Sequence, residues 1–193
     1  MQIIIDARYK YNYSSYYILG FRRLFGAKAI SYQVKPFAAI SYATYHAYNS
    51  GLPVILDEAN RQHKVFIDFE DMPTIAQDRY DWCDVYAKFN TAFGDTEKYP
   101  KLMAIGPAFG ITIDNKVKVL TDCIAHYLKA RKHTTVQAKF YLRDYAYSFV
   151  RRRRIEEYEK PTAVRPNYIF HASTLWYNKF AWTCTNMYRG EFL

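Results

Sequence analysis

Asp68-Phe69-Glu70-Asp71 gathers three carboxylates at the end of Lys64-Val-Phe-Ile-Asp68, a β-rich run that reads as a strand. A carboxylate just beyond a strand's carboxyl end stands where open α/β sheets hold their ligands. From there it could accept the proton of a substrate hydroxyl as general base. Asp68 and Asp71 are the candidates, with Asp84 in support at the head of the next strand. The competing reading is structural: Asp71-Met72-Pro73 has the form of a helix start, with an acid at the cap and proline in the first turn.

Three further groups could bind rather than react. Ile105-Gly106-Pro107-Ala108-Phe109-Gly110 is a glycine-bearing loop that lets a ligand approach backbone closely. Gly106, Phe109 and Gly110 are therefore expected to shape a cleft. The loop has neither the Gly-Lys-Ser/Thr of a P-loop nor a GxGxxG fingerprint, and a plain tight turn explains it equally well. Tyr9, Tyr11 and Tyr13 in Tyr-Lys-Tyr-Asn-Tyr offer rings and hydroxyls to a sugar. Arg151-Arg152-Arg153-Arg154, with Lys129, Arg131, Lys132 and Arg143 nearby, could contact phosphates or lean on anionic lipid, at about 1 kcal/mol per charge. Glu156, Glu157 and Glu159 follow at helical spacing and could neutralise them instead.

Other chemistries find little support. His46, His63, His126, His133 and His171 have no HExxH or other metal spacing, so neither a metal nor a cofactor is expected. Ser14, Ser15 and Ser173 lack a GxSxG elbow, and Cys83 has no evident histidine partner.

These groups need a scaffold. Gln2 to Ala7 reads as a buried first strand, and Tyr9 to Tyr13 as a polar aromatic loop. Ser15 to Phe25 follows as a helix capped by Asn12 or Ser14 and stopped by Gly26. Lys28 to Tyr32 reads as a second strand, and Phe37 to Tyr48, fitting neither period well, leans towards strand or loop. Val54 to Leu56 and Lys64 to Phe69 flank a polar turn and predict a hairpin. Short strands are expected at Asp84 to Phe89 and from Met103. Lys116 to Arg131 predicts an amphipathic helix with Val117, Leu120, Ile124, Tyr127 and Leu128 on its apolar face. Val136 to Tyr158 predicts one long helix carrying the four arginines. A proline-bearing linker over 161–167 precedes a new strand at Tyr168 to Ala172 and a helix from Thr185.

The expected fold is thus α/β: a Rossmann-like three-layer domain over 1–160 with a mixed or mainly parallel sheet, then the first strand and helix of a second α/β domain over 168–193. The chain has 193 residues, half of them hydrophobic, enough for a core and against global disorder. No apolar run approaches the roughly 18 residues of a membrane span. The N-terminus lacks signal-peptide features, and Cys83, Cys123 and Cys184 form neither a disulfide framework nor a metal motif. A cytoplasmic protein is expected. Lys and Arg total 27 against 18 Asp and Glu, a net charge of +9, and 20 residues are Tyr. A basic, tyrosine-rich chain suits carbohydrate, nucleic acid or an anionic membrane surface, although an AT-rich genome alone would raise the Tyr, Lys and Ile content.

The order MQIIIDARY, KVFIDFED, DVYAKFN, IGPAFG, RRRRIEEYEK, NYIFHASTLW and NMYRGEFL resembles bacterial glycosyltransferases of the two-domain GT-B type that build surface polysaccharides. The resemblance implies an N-terminal half that binds the acceptor, with residues from Tyr168 onward opening the half that binds a nucleotide-sugar. It also implies a lipid-linked or polysaccharide acceptor, work at the inner face of a membrane, and no turnover without the nucleotide-binding loops. By this reading Asp68 or Asp71 is the base. The alternatives are a non-enzymatic basic module for nucleic acid or another anionic ligand, and a nucleotide-responsive flavodoxin-like domain. The acidic cluster speaks against nucleic acid, and YKYNYSS stands where a phosphate loop would follow the first strand.

Overall fold

The computed structural model describes residues 1–40, 51–58, 61–92, 94–106 and 108–158, which fall within one unit, Met1–Glu159. The second-domain start expected at 168–193, the linker before it and most of the ambiguous 37–48 stretch lie outside the described residues.

Ile3, Ile4 and Ile5 are all buried, as in a strand covered on both faces, and they form β1 (Gln2–Asp6). The chain continues through α1 (Tyr11–Phe25), β2 (Ile30–Gln33), β3 (Gly51–Glu58) and β4 (Arg61–Asp68). Next come α2 (Gln77–Trp82), β5 (Val85–Lys88), α3 (Asp95–Lys98) and β6 (Leu102–Ala104). The described part closes with α4 (Lys116–Ala130), α5 (Ala138–Val150) and α6 (Ile155–Tyr158). The six strands make one sheet in the order β2-β1-β3-β4-β5-β6. β1–β2, β4–β5 and β5–β6 pair in parallel, while β3 runs against both neighbours, so the sheet is mixed with one reversed strand. The fold is α/β and Rossmann-like. The predicted hairpin is β3–β4, paired from Gly51↔Asp68 to Glu58↔Arg61, and β4 is interior as expected.

Register assigns the layers. Paired residues share a face, so Phe66, Tyr86 and Leu102 lie on one side, Ile5, Val54 and Tyr32 on the other. On the first side α2 lays Arg79 over the Phe66 ring and Tyr80 against Tyr86. On the second, Tyr32 meets His126 of α4 at 4.0 Å and Tyr9 stacks on Tyr32 at 5.7 Å. α5 packs with both α4 and α1 on that side.

Four expectations change. α1 begins at Tyr11 rather than Ser15, with Lys10 at the cap position and neither Asn12 nor Ser14 capping. The Asp144 carboxylate instead accepts the Asn12 N–H at 3.3 Å. Asp71-Met72-Pro73 starts no helix, and α2 begins only at Gln77. The long helix over 136–158 is broken: α5 ends at Val150 and α6 starts at Ile155. Thr112 occupies that break, its N–H donating to the Arg153 carbonyl at 2.9 Å and its hydroxyl to the carbonyls of Ser148 and Arg152. Finally, α4 turns Val119, Cys123, His126 and Ala130 to the core, leaving Val117, Leu120, Ile124 and Leu128 exposed.

Candidate functional site: a basic cavity beside exposed rings

The chain moves out from β1 to β2 and returns to β3 on β1's other side, so the sheet order switches direction at β1. The carboxyl end of such a strand opens a crevice. There Asp6 and Arg8 are both buried. The Arg8 guanidinium grips Asp6 through Nε at 3.1 Å and a terminal nitrogen at 2.8 Å, and donates to the Phe37 carbonyl at 2.6 Å. This fork fixes the Ala7–Lys10 connection and with it the start of α1.

A cavity of about 240 Å³ lies at that start, lined by Lys10, Asn12 and Tyr13 from α1 and its approach. Phe140, Arg143, Asp144 and Tyr147 of α5 and Arg151 and Arg152 of the break complete it. Three of its cations sit over rings that line the same cavity. Lys10 lies 4.4 Å from the Tyr13 centroid, Arg143 4.9 Å from Phe140 and Arg151 4.3 Å from Tyr147. The aromatic faces hold these cationic groups in place. Arg152 is fixed differently, its Nε donating to Asn12 Oδ1 at 3.0 Å. The four cations face a single carboxylate, Asp144, which is buried and bound to the Asn12 amide. The cavity is electropositive.

Gly110 passes behind two residues of the cavity wall, Asn12 and Arg152. A Cβ there would meet Asn12 Oδ1 at 2.5 Å, the Asn12 carbonyl at 2.6 Å and Arg152 Nε at 2.8 Å, so the loop passes α1 only as glycine. The next residue is tied down as well: the Ile111 N–H donates to Ser15 Oγ at 2.8 Å. Phe109 stays half-exposed between Tyr16 at 5.6 Å and Tyr158 at 5.2 Å. Tyr13 and Tyr16, three residues apart on α1, are exposed too. Exposed rings thus stand beside a cationic hollow. Gly106 is exposed at the start of this loop.

The other predicted residues divide sharply. Tyr9 and Tyr11 belong to the core rather than to a sugar-facing surface. Tyr11 stacks on Tyr145 at 4.4 Å, and burial pushes the hydroxyls of Tyr9, Tyr11 and Tyr145 well up in pKa. Asp68 is also interior. It pairs with Lys88 at 2.8 Å, the two side chains being 1 and 0 % exposed, and it accepts the Tyr86 hydroxyl at 2.5 Å and the Glu70 N–H at 2.7 Å. Register dictates this group, since Asp68 lies opposite Lys88 one step beyond Phe66 and Tyr86. With both oxygens engaged, Asp68 holds the strand ends together. Asp71 is exposed on the following loop, its carbonyl accepting from the Asn90 side chain. Phe69 of that loop stacks on Tyr17 of α1 at 5.8 Å. Arg153 and Arg154 are exposed, and Glu156 pairs with Arg23 rather than with the arginine run.

Sequence reasoning missed Lys10, Phe140, Tyr147, Tyr16 and Tyr158. A usable signal was present: Lys10/Tyr13 and Phe140/Arg143 are three apart and Tyr147/Arg151 four apart, the helical spacings that bring a cation over a ring. Elsewhere, Cys83 and Cys123 are buried with their thiols pushed up to about 11, the condition of inert cysteine. Among the described residues no three His, Cys, Asp or Glu side chains gather to hold a metal ion. None of the helices there is long and apolar enough to cross a membrane. No protein-family model, curated protein or solved structure matches the chain. The fold and site define an α/β domain with a cation-lined cavity between the start of its first helix and its fifth, Ala138–Val150.

Proposed function

We propose that this domain is the acceptor-binding half of a glycosyltransferase that moves a sugar from a nucleotide-sugar to a lipid-linked or polysaccharide acceptor at the inner face of a membrane. The observation that carries the reading is the pairing of the electropositive cavity with the exposed rings of Tyr13, Tyr16, Phe109 and Tyr158. Sugars stack on such rings, and a phosphate or other anionic group suits the cluster of Lys10, Arg143 and Arg151. Asp71, exposed beyond the carboxyl end of β4, is the base that deprotonates the acceptor hydroxyl, while Asp68 supports its loop. The nucleotide-sugar is bound by the other half.

Calorimetric titration of the full chain with glucose 1-phosphate, inorganic phosphate, UDP and a single-stranded oligonucleotide tests this. The sugar phosphate is expected to bind more tightly than phosphate, and Arg143→Gln or Tyr16→Ala to weaken it about tenfold, or ~1.4 kcal/mol. Tighter binding of UDP or the oligonucleotide than of the sugar phosphate would sink the acceptor reading. The net charge of +9 favours one second reading, a non-enzymatic basic module. It predicts affinity for any polyanion that falls steeply with salt and ignores the rings.

A further inference from the structure

Helix α4 carries two interleaved stripes. At 100° per residue, Val119, Cys123, His126 and Ala130 share one narrow arc and are buried. Val117, Leu120, Ile124 and Leu128 share another arc of about 80° on the outer side. These four aliphatic side chains are 49 to 74 % exposed and form a ridge about 16 Å long. The helix meets the core through Val119, Cys123, His126 and Ala130 and still presents four aliphatic side chains to solvent.

The surroundings say what. Lys116 stands at the head of the stripe and Arg131 and Lys132 at its foot, all exposed, while Lys129 on the flank donates to the Tyr32 carbonyl at 3.0 Å. Asp122 is the one acid within the helix, and Lys118 already holds it at 2.8 Å. Self-association would bring two such basic rims face to face. The ridge is convex and purely aliphatic, without the Trp, Tyr or Arg anchors that concentrate energy in protein interfaces. A convex apolar ridge framed by lysines matches the boundary of an anionic bilayer, where aliphatic side chains sink below the headgroups and lysine stems reach back to them.

We infer that α4 is a membrane-docking element that lays Val117, Leu120, Ile124 and Leu128 into the interface of an anionic bilayer. This surface is separate from Arg151–Arg154, of which Arg151 and Arg152 line the cavity. It rests on the geometry of α4 and not on the proposed glycosyl transfer, so either can fail alone.

Vesicle flotation of the full chain tests it, using phosphatidylcholine alone and phosphatidylcholine with a minority of phosphatidylglycerol. The wild type is expected to float with the anionic vesicles and not with the zwitterionic ones. Leu120→Gln/Ile124→Gln should cut flotation roughly tenfold or more while keeping the wild-type circular dichroism and glucose 1-phosphate titration, since both positions face solvent. Arg153→Glu/Arg154→Glu should still float. The inference is overturned by a wild type that ignores anionic vesicles, by a double glutamine variant that floats like the wild type, or by a dimer in sedimentation that this variant turns into monomer. Loss of flotation in the arginine variant alone would overturn it too, moving the contact to that cluster.

Discussion

His126 shows how far a side chain's surroundings can displace its chemistry. Burial, reinforced by Lys129, Lys118 and Arg22, lowers its pKa to about 3, and its Nδ1 shares a 2.6 Å hydrogen bond with the Tyr145 hydroxyl. The folded protein therefore holds this imidazole neutral, while the unfolded chain protonates it near pH 6.5. That contribution is complete above pH 6.5 and is lost as pH falls from there towards 3, at about 1.4 kcal/mol per unit. Urea midpoints across this range should drop less steeply in His126→Gln than in the wild type. The Asp68–Lys88 pair is the second residue-scale test. Lys88→Met leaves a buried carboxylate unpaired and should cost about 3–5 kcal/mol, whereas Asp68→Asn/Lys88→Met together should recover much of it. Chemical denaturation of the single and double variants measures both. A single variant as stable as the wild type would return Asp68 to consideration as a reactive group.

At the scale of elements, the clearest test is the passage of the Gly110 loop across α1. Gly110→Ala pushes a Cβ against the Asn12 carbonyl, which cannot move without unwinding the first turn of α1. It should cost about 1–3 kcal/mol and weaken sugar-phosphate binding as well, because Asn12 and Arg152 shift with it. The strands were legible in the sequence for a physical reason. β3 and β4 are β-rich runs on either side of a polar turn, and that pattern has few other solutions. The helices were harder. Periodicity reports that α4 has an apolar stripe, but both of its stripes repeat at helical spacing, and nothing local says which one faces the sheet. The break at Arg151 was hidden because the residue that satisfies its carbonyls, Thr112, lies some forty residues away in the chain. Tyr9 and Tyr11 misled for a similar reason. An amphipathic ring suits core and surface alike, and the choice is made by Tyr145, far along the sequence.

For the whole molecule, the proposed anion binding in the cavity predicts a stability that rises with ligand. Pyrophosphate at well above its dissociation constant should raise the melting temperature by linkage, and Arg143→Gln/Arg151→Gln should abolish the rise. The same cavity constrains how the chain comes to be. Its walls are residues 10–13 on one side and 140–152 on the other, clasped by the Asn12–Asp144 and Asn12–Arg152 hydrogen bonds. The β3–β4 hairpin needs only local contacts and can form early, whereas closing the cavity requires two segments about 130 residues apart to meet. During synthesis the start of α1 therefore emerges long before its partner, with the cationic end of the nascent chain uncovered. The cavity is complete only when the ribosome has released the arginine run, so a stall just before that point yields a chain with all six strands and no cavity.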